Sequence, residues 1–202
     1  MAKLLHINSS VRNQGSVSRQ LTGEFINQWK ASRPDAEVTE RDLAAHPIPH
    51  LNEQMMGAFF TPAEKRTPEQ IEAVKISDSL VEELLAADTI VIGAPMYNFS
   101  IPSTLKAWID HVARAGITFR YTQEGPEGLV KNKKVYVFIS RDGVYSEGPA
   151  KTMEFQDTYL RTVLAFLGMD DVTFIHTEGL AMGKETAERA LSQTRQKIAE
   201  LA

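Results

Sequence analysis

A segment rich in prolines and aromatic residues has the composition of a wall for a flat polar ring. It reads Ala94-Pro95-Met96-Tyr97-Asn98-Phe99-Ser100-Ile101-Pro102 and directly follows an apolar run. Proline fixes φ and removes a backbone donor, so the segment is stiff and its remaining N–H groups point in set directions. The Asn98 amide donates and accepts, and the N–H groups of Tyr97–Phe99 can donate. A purely structural alternative is that Ser100 caps the next helix, with Pro102 in its first turn, while Met96 and Phe99 pack.

Serines are concentrated in a second segment, which spans residues 8–18 and leads into a helical pattern. Ser9, Ser10, Ser16 and Ser18 surround the start of that helix. Hydroxyl groups, free N–H groups and the positive end of the helix dipole together make an anion site. Ordinary N-capping needs only one serine. We therefore predict that a phosphate binds here.

A third segment, Ser140-Arg141-Asp142-Gly143-Val144-Tyr145, follows another apolar run. Arg141 supplies a cation, and Gly143 permits close approach of the backbone to a ligand. Taken alone, this segment is equally compatible with an ordinary turn.

The elements that must position these segments are five short apolar runs that alternate with helical patterns. The runs are Lys3–Asn8, Glu37–Arg41, Thr89–Gly93, Lys134–Ser140 and Asp171–Thr177, and the helices are Ser18–Ser32, Pro68–Ala87, Ser103–Gly116 (with Gly116 as C-cap), Thr152–Leu167 and Lys184–Leu201. This alternation predicts a three-layer α/β domain over residues 1–202, flavodoxin-like, with a parallel five-stranded sheet of order 2-1-3-4-5 and helices on both faces. The carboxyl ends of parallel strands share one edge, so the three segments meet in one crevice.

Two stretches exceed the needs of such a fold, Leu43–Arg66 and Ile117–Lys133. Loops of this length in compact domains are functional or disordered, and the apolar content of both disfavours disorder.

The composition excludes several classes of function. A net charge of −4 gives no basic footprint for nucleic acid, and the absence of cysteine excludes disulfides, thiol nucleophiles and iron–sulfur ligation. No apolar run reaches membrane-spanning length, and Met1-Ala2-Lys3 leads into a strand rather than a signal peptide, so we expect no membrane partner and a cytoplasmic location. The histidines have no metal-ligand spacing, since Pro47 and Pro49 separate His46 from His50, and we predict no metal site.

Missing motifs narrow the ligand. The sequence has no Gly-x-Gly-x-x-Gly and no Gly-Lys-Ser/Thr loop, so neither a dinucleotide fold nor an ATP loop is indicated. A single monophosphate cradle fits FMN better than FAD, NAD or ATP.

Over its whole length the chain resembles the FMN-dependent NADH:quinone oxidoreductases known as bacterial azoreductases. The resemblance is most specific at Ala94–Phe99, Val112–Tyr121 and Gly125–Val130. It implies a flavodoxin-like homodimer with one tightly bound FMN per subunit and sites lined partly by the neighbouring chain. It also implies phosphate contacts at Ser10 and at Ser16, Val17 and Ser18, and ring contacts at Pro95, Met96, Tyr97, Asn98, Phe99, Ser140, Arg141, Asp142 and Gly143.

The third segment departs from the family pattern Ser-Arg-Gly-Gly-x-His. Asp142 occupies the position of a glycine, and Tyr145 replaces the histidine. Asp142 adds negative charge beside the ring, and Tyr145 cannot become a cation near neutral pH. We expect a flavin that is harder to reduce than in histidine-bearing relatives.

The activity that the resemblance implies is hydride transfer from NADH, or NADPH, through FMN to quinones, azo compounds or nitroaromatics. Because the flavin carries the chemistry, no catalytic acid or nucleophile is expected from the protein. One shared ring face predicts ping-pong kinetics. Phe60, Phe119, Tyr121 and Tyr145 are candidates for aromatic cover of the substrate, with Phe119 and Tyr121 supplied by the partner subunit; core packing is the alternative for each.

Two other classes of function remain as alternatives. A non-enzymatic electron carrier is disfavoured by the modest acidity of the chain. A serine hydrolase using Ser9 or Ser10 is disfavoured because the sequence has no Gly-x-Ser-x-Gly elbow.

Overall fold

The sheet has the predicted strand order. The computed structural model describes residues 1–202, and it contains a five-stranded parallel sheet ordered β2-β1-β3-β6-β7. The strands are β1 (Lys3–Asn8), β2 (Glu37–Asp42), β3 (Thr89–Pro95), β6 (Lys134–Ser140) and β7 (Asp171–Thr177), and the remaining two strands, β4 (Phe119–Thr122) and β5 (Gly125–Gly128), form a separate antiparallel hairpin. Without that hairpin the order is 2-1-3-4-5, which confirms the flavodoxin-like prediction.

Helices cover both faces of the sheet because side chains alternate along each central strand. In β3, Val91 faces one hydrophobic cluster while Ile90 and Ile92 face the other. Helices α1 (Val17–Ala31) and α6 (Lys184–Leu201) cover the first face, and α3 (Pro68–Ala86), α4 (Ser103–Val112) and α5 (Asp157–Leu167) cover the second. Strands buried on both faces explain the continuous apolar runs in the sequence.

Two predicted helix ends were wrong. The helix predicted to reach Gly116 ends at Val112, with Ala113 as C-cap. Gly116 instead adopts a positive φ of 80° and donates its N–H to the carbonyl of Phe119, which closes the turn before the hairpin. The helix predicted to begin at Thr152 begins at Asp157, because a 3-10 turn occupies Pro149–Met153 and the Glu154 carboxylate then accepts the first free N–H groups of α5.

The two long stretches contain secondary structure of their own. Residues 43–66 form the short helix α2 (Glu53–Phe60) and a 3-10 turn at Ala63–Lys65. Helix α2 packs against α3 and α4, where the Phe59 ring lies under the Arg114 guanidinium and edge-on to His111. Residues 117–133 form the β4–β5 hairpin, whose Gly128 lies against Gly168 at the end of α5. No helix of the chain has the length and apolarity that crossing a bilayer requires.

Candidate functional site

A cavity of about 310 Å³ opens at the carboxyl edge of the sheet. Register brings the three segments together there, since Asn8 pairs with Gly93 and Pro95 pairs with Ser140. The lining residues come from the ends of β1, β3 and β6 and from the loop after β7: Ser10, Val11, Arg12, Gly15, Ser16, Val17, Pro95, Met96, Tyr97, Ser140, Asp142 and Leu180. Ligands of open α/β sheets bind at this edge, where the strand order reverses.

The first loop delivers the free N-terminus of α1 to the cavity. The Ser16 hydroxyl caps the helix by accepting the N–H of Arg19 at 3.4 Å. The N–H groups of Val17 and Ser18 have no acceptor in the chain. Free amides at the positive end of a helix dipole stabilise an anion, so this end of the cavity suits a phosphate.

Two arginines flank this loop, and only one is neutralised. Arg19 forms a bidentate pair with Asp42, with contacts of 2.6 and 2.8 Å, and also donates to the carbonyl of Ser10 at 2.8 Å. The hydrogen bond from Arg19 lowers the pKa of the Asp42 carboxyl, and the same hydrogen bond raises the pKa of the Arg19 guanidinium. Arg12 lines the cavity and is exposed, and its guanidinium has no ion-pair or hydrogen-bond partner in the chain. Arg12 is therefore the cation available to a bound anion.

Tyr97 ties the second loop to the first. Its phenol oxygen accepts the N–H of Val11 at 3.3 Å and lies 3.4 Å from the Ser10 hydroxyl. The tyrosine thus holds the serine loop against the end of β3, which fixes the distance between the anion end and the rest of the cavity.

The second loop turns sharply immediately after Tyr97. Asn98 and Phe99 have positive φ values of 48° and 70°, and Tyr97 and Ser100 exchange backbone hydrogen bonds of 3.0 and 3.1 Å. Positive φ is uncommon for non-glycine residues and for a bulky one costs on the order of 1–3 kcal/mol, so the surrounding structure must impose this turn. The Ser100 cap expected by the structural alternative is absent, and Pro102 occupies the N-cap of α4.

The turn corrects which N–H groups of this loop are free. Met96 donates its N–H to the Ser140 carbonyl at 2.9 Å, and Tyr97 donates its own within the turn. The N–H groups of Asn98 and Phe99 have no acceptor in the chain. Only these two of the predicted backbone donors at Tyr97–Phe99 can serve a ligand.

The third loop supplies free donors and a negative charge. The N–H groups of Asp142 and Gly143 have no acceptor, and Asp142 lines the cavity and has no ion-pair partner for its carboxylate. The carbonyls of this loop accept N–H groups from residues 179–181, which follow β7. That pairing brings Leu180 into the cavity wall.

The Arg141 side chain does not line the cavity, and the predicted contact of this residue with the ring stays a prediction for its backbone. Its guanidinium is buried, with ion pairs of 2.6 Å to Glu154 and 2.8 Å to Glu178. Side chains alternate between the two faces along β6 and in the residue that follows it. Because Ser140 lines the cavity, the Arg141 side chain points to the opposite face.

Other predicted cofactor residues lie beside the cavity rather than in its wall. The Ser18 hydroxyl is buried and bonds to the Ser16 hydroxyl at 3.3 Å, so it supports its neighbour. Gly143 is covered by the Tyr145 ring, and Phe99 is packed edge-on against that ring with 6.2 Å between centroids. Asn98 lines an adjoining cavity.

That second cavity has a volume of about 740 Å³ and shares Val11 and Tyr97 with the first. Its other lining residues are Asn98, Ser100, Ile101, Ser103, Lys106 and Tyr159. Burial raises the pKa of Tyr159 to about 12, so its phenol stays protonated and can donate. A mononucleotide site and a larger open groove therefore meet at Tyr97.

The predicted substrate-covering residues divide into two groups. Phe119 is 9% exposed and packs on Phe166 with 4.5 Å between ring centroids, so it belongs to the core of its own subunit, and its cover of a partner's substrate stays a prediction. Phe60 and Tyr121 are each 74% exposed and line neither cavity. Tyr145 is half-buried beside the first cavity.

Neither a metal site nor a serine–histidine pair is present. No group of three or more metal-ligating side chains converges anywhere in the chain. The Ser9 hydroxyl is buried and donates to the carbonyl of Gly93 at 2.6 Å, while the hydrogen-bonded histidines pair with Thr22 and with the carbonyl of Pro49. This arrangement provides no activated nucleophile.

Four residues that line the cavity were not predicted from the sequence: Val11, Arg12, Gly15 and Leu180. Arg12 and Gly15 lie within the serine segment, where a cation beside four hydroxyls was a usable signal. Nothing in the sequence pointed to Leu180, because its place depends on hydrogen bonds between the loops after β6 and β7.

Fold and cavity together define a flavodoxin-like α/β protein with a mononucleotide-sized site. In agreement, residues 2–202 match the family model described as Flavodoxin-like fold. A crystal structure of azoreductase from Bacillus anthracis strain Sterne superposes with a TM-score of 0.93 at 32% identity, covering 100% of this chain and 98% of that chain. An FMN-dependent NADH-azoreductase from B. anthracis strain Ames Ancestor, solved in complex with FMN, gives a TM-score of 0.88 at 26% identity with full coverage of both chains.

Curated relatives are closer in sequence. The chain is 62% identical to an FMN-dependent NADH:quinone oxidoreductase of Herminiimonas arsenicoxydans, over 100% of this chain and 98% of the relative. It is 50% identical to FMN-dependent NADH:quinone oxidoreductase 2 of Pseudomonas fluorescens Pf0-1 over the full length of both. The chain therefore belongs to the family of FMN-dependent NADH:quinone oxidoreductases.

Proposed function

We propose that this chain binds FMN and catalyses two-electron transfer from NADH to quinones and azo compounds. The observation that carries the proposal is the polarity of the first cavity. One end offers the free N–H groups of Val17 and Ser18 with the Arg12 guanidinium, and the other offers the free N–H groups of the second and third loops. A phosphate suits the first end, and the carbonyl and nitrogen acceptors of an isoalloxazine suit the second. The names of the close relatives support the same ligand and reaction.

The residues present fit FMN in size and in chemistry. Ligand pockets typically measure about 300–1,000 Å³, and this one is at the lower end, as expected for a site open on one face. We place the phosphate at Ser10, Ser16 and the N–H groups of Val17 and Ser18. We place the ring against residues 95–99 and against Ser140, Asp142 and Gly143. When bound, FMN supplies the hydride-accepting and electron-donating chemistry, and the protein supplies orientation and exclusion of water.

The second cavity is our proposed site for the flat substrates. It adjoins the first at Tyr97 and is large enough for a nicotinamide or a quinone ring. Because NADH and the quinone need the same face of the cofactor site, we propose that they bind one after the other and that the kinetics are ping-pong. Double-reciprocal plots at several quinone concentrations should then be parallel in NADH; intersecting lines would contradict the alternation.

We further propose that the active form is a homodimer. Val11, which lines the second cavity, is an exposed large apolar residue, and so are Phe99, which lies between the lining residues Asn98 and Ser100, and Phe155, whose N–H donates to the carbonyl of Phe99 at 3.1 Å. Contiguous exposed apolar surface marks interaction sites. In this arrangement Phe60 and Tyr121 of one protomer cover the site of its partner, which accounts for two large aromatic residues that line no cavity of their own subunit.

The absorption spectrum of the purified protein tests the function. We expect bound FMN to absorb in the visible range, anaerobic NADH to remove that absorbance, and a quinone to restore it. NADPH in a parallel cuvette tests the choice of reductant. A protein that takes up no FMN would overturn the proposal, and one whose FMN responds only after a separate reductase is added would instead be an electron carrier.

A further inference from the structure

One buried guanidinium joins three loops at the carboxyl edge of the sheet. Arg141 is 2% exposed. Its Nη1 donates to Glu178 at 2.8 Å, its Nη2 to Glu154 at 2.6 Å, and its Nε to the Gln156 side-chain oxygen at 3.3 Å. Each of the three guanidinium nitrogens donates one hydrogen bond, an arrangement that suits the planar fork of arginine.

Gln156 continues the network to the second loop. It is fully buried, and its amide nitrogen donates to the carbonyls of Ala94 and Pro95 at 2.8 and 3.1 Å. These are the last two carbonyls of β3, immediately before the segment that we place against the flavin ring. The position of that segment therefore depends on the position of Gln156.

Glu178 continues the network to the third loop. Its carboxylate accepts the N–H groups of Tyr145 and Ser146 at 3.0 and 3.1 Å, and it also accepts the Ser146 hydroxyl. Burial opposes ionisation of Glu178, but the hydrogen bonds from Ser146, Tyr145 and Arg141 outweigh it and lower the pKa of the carboxyl. The Arg141 backbone adds a third link, since its carbonyl accepts the N–H of Leu180 at 3.2 Å.

A buried ion network of this kind is poor evidence for stability, because desolvation offsets much of the attraction, but it fixes geometry. We propose that Arg141 is a positioning residue that sets the spacing between the second and third loops through Gln156 and Glu178, and thereby the width of the flavin slot. The inference rests on the proposed function. It assigns Arg141 an indirect role, since its guanidinium touches neither cavity.

Two substitutions test the two parts of the network. Gln156→Met keeps the side-chain length and removes both donors to β3. Arg141→Lys keeps the charge but cannot reach all three partners. In a titration of the FMN-depleted protein with FMN, we expect each variant to raise the FMN Kd about tenfold, equivalent to about 1.4 kcal/mol. We also expect each to alter the position or shape of the visible absorption band of bound FMN.

Arg114→Lys is the matched control. Arg114 is likewise 2% exposed, donates to Ser77 at 2.6 Å and to Asp78 at 2.9 Å, and lines neither cavity. We expect this change to lower the Tm while the FMN Kd and the absorption band stay as in the unmodified protein. An unchanged Kd and band in Arg141→Lys would overturn the inference, because the lysine cannot hold all three partners of Arg141.

The outcomes are distinguishable. If Gln156→Met and Arg141→Lys lower the Tm but leave the Kd and the band unchanged, the network is only structural and the inference is overturned. If the unmodified protein takes up no FMN, the proposed function is wrong, and the inference that rests on it is wrong as well. Should Arg141→Lys not fold, Ser146→Ala removes one exposed donor to Glu178; we then expect about a threefold rise in Kd, and an unchanged Kd would overturn the inference.

Discussion

At the scale of single residues, charge at the two ends of the first cavity decides what can bind. Arg19 is neutralised by Asp42, so Arg12 alone supplies uncompensated positive charge at the end where α1 begins. Asp142 supplies uncompensated negative charge at the other end. An anion bound at the first end would therefore lie near positive charge, and a ring that gains negative charge on reduction would lie near negative charge at the other end.

Replacing Arg12 with alanine should weaken FMN binding. A hydrogen bond to a charged group contributes about 1.5–3 kcal/mol, so we expect the FMN Kd to rise at least tenfold in Arg12→Ala, with the loss shrinking as salt screens the pair. Fluorescence titration at two ionic strengths measures both effects. Arg189→Ala, at an exposed position of α6, is the control and should change neither. Equal affinity in Arg12→Ala would remove Arg12 from the phosphate site.

Neutralising Asp142 should make the bound flavin easier to reduce. Asp142→Asn keeps the shape and removes the charge, so the two-electron midpoint potential should rise; a change of about 1.4 kcal/mol in the free energy of reduction corresponds to about 30 mV. Tyr145→His should also raise the midpoint potential, at pH values at which the introduced imidazole is protonated. Anaerobic redox titration gives the values, and no rise in either variant would refute the expected effect of this loop.

His6 should make stability dependent on pH. Burial lowers the pKa of His6 to about 4, an effect that Glu40 and Asp42 oppose and Arg19 reinforces. The unfolded chain therefore binds more protons between pH 6.5 and 4, and the free energy of unfolding should fall by about 3 kcal/mol as the pH drops through that window. Urea titrations at pH 7, 5 and 4 measure the fall. His6→Gln should flatten it, whereas the exposed His46→Gln should not.

At the scale of elements, the β4–β5 hairpin is an insertion that docks by close backbone contact. Val130 donates its N–H to the Leu167 carbonyl at 2.9 Å, and Gly128 lies against Gly168, whose φ of 99° ends α5. This contact is what seats Phe119 in the core beside Phe166. The same hairpin carries the exposed Tyr121, which pairs with Pro126.

A methyl group at this contact should be destabilising. A Cβ on Gly128 would lie 2.1 Å from the Gly168 nitrogen. Overpacking of this kind costs about 1–3 kcal/mol, so Gly128→Ala should lower the free energy of unfolding by that amount. Gly23→Ala, in α1 with nothing within 4 Å of the added Cβ, should instead add up to about 1 kcal/mol. Chemical denaturation of both variants compares the signs, and a neutral Gly128→Ala would mean that the hairpin shifts freely.

At the scale of the whole molecule, the proposed dimer makes each site depend on two chains. Light scattering should give twice the 22.5 kDa chain mass. A Phe60→Ala chain cannot cover its partner's site with an aromatic ring, and a chain with the double substitution Arg12→Ala/Ser16→Ala lacks the phosphate contacts of its own site. A heterodimer of the two contains one site with both features, so co-expression with two affinity tags should restore about half of the unmodified activity, as two-fold symmetry requires. Activity no greater than that of the separate variants would place Phe60 at its own subunit's site or at neither.

Local patterns were enough for the sheet, because buried parallel strands need continuous apolar runs and the alternation with helices leaves few topologies. The order of the strands then placed the serine, aromatic and third loops at one edge without any knowledge of contacts. For the same reason Ser10, Ser16, Met96 and Tyr97 could be named from the sequence and are found in the cavity wall.

Directions and partners were decided only by tertiary structure. Arg141 turned inward because two carboxylates and Gln156 await it there, and none of the three lies within ten residues of it in the sequence. The Tyr97 N–H is occupied by a hydrogen bond within a turn, and Leu180 reaches the cavity wall through the pairing of two loops. Phe119 is buried by a hairpin where the sequence predicts a long loop. Which segments meet at the site follows from local patterns and the strand order that they predict. The long-range hydrogen bonds and packing, which no local pattern encodes, determined which atoms of those segments remain free to bind.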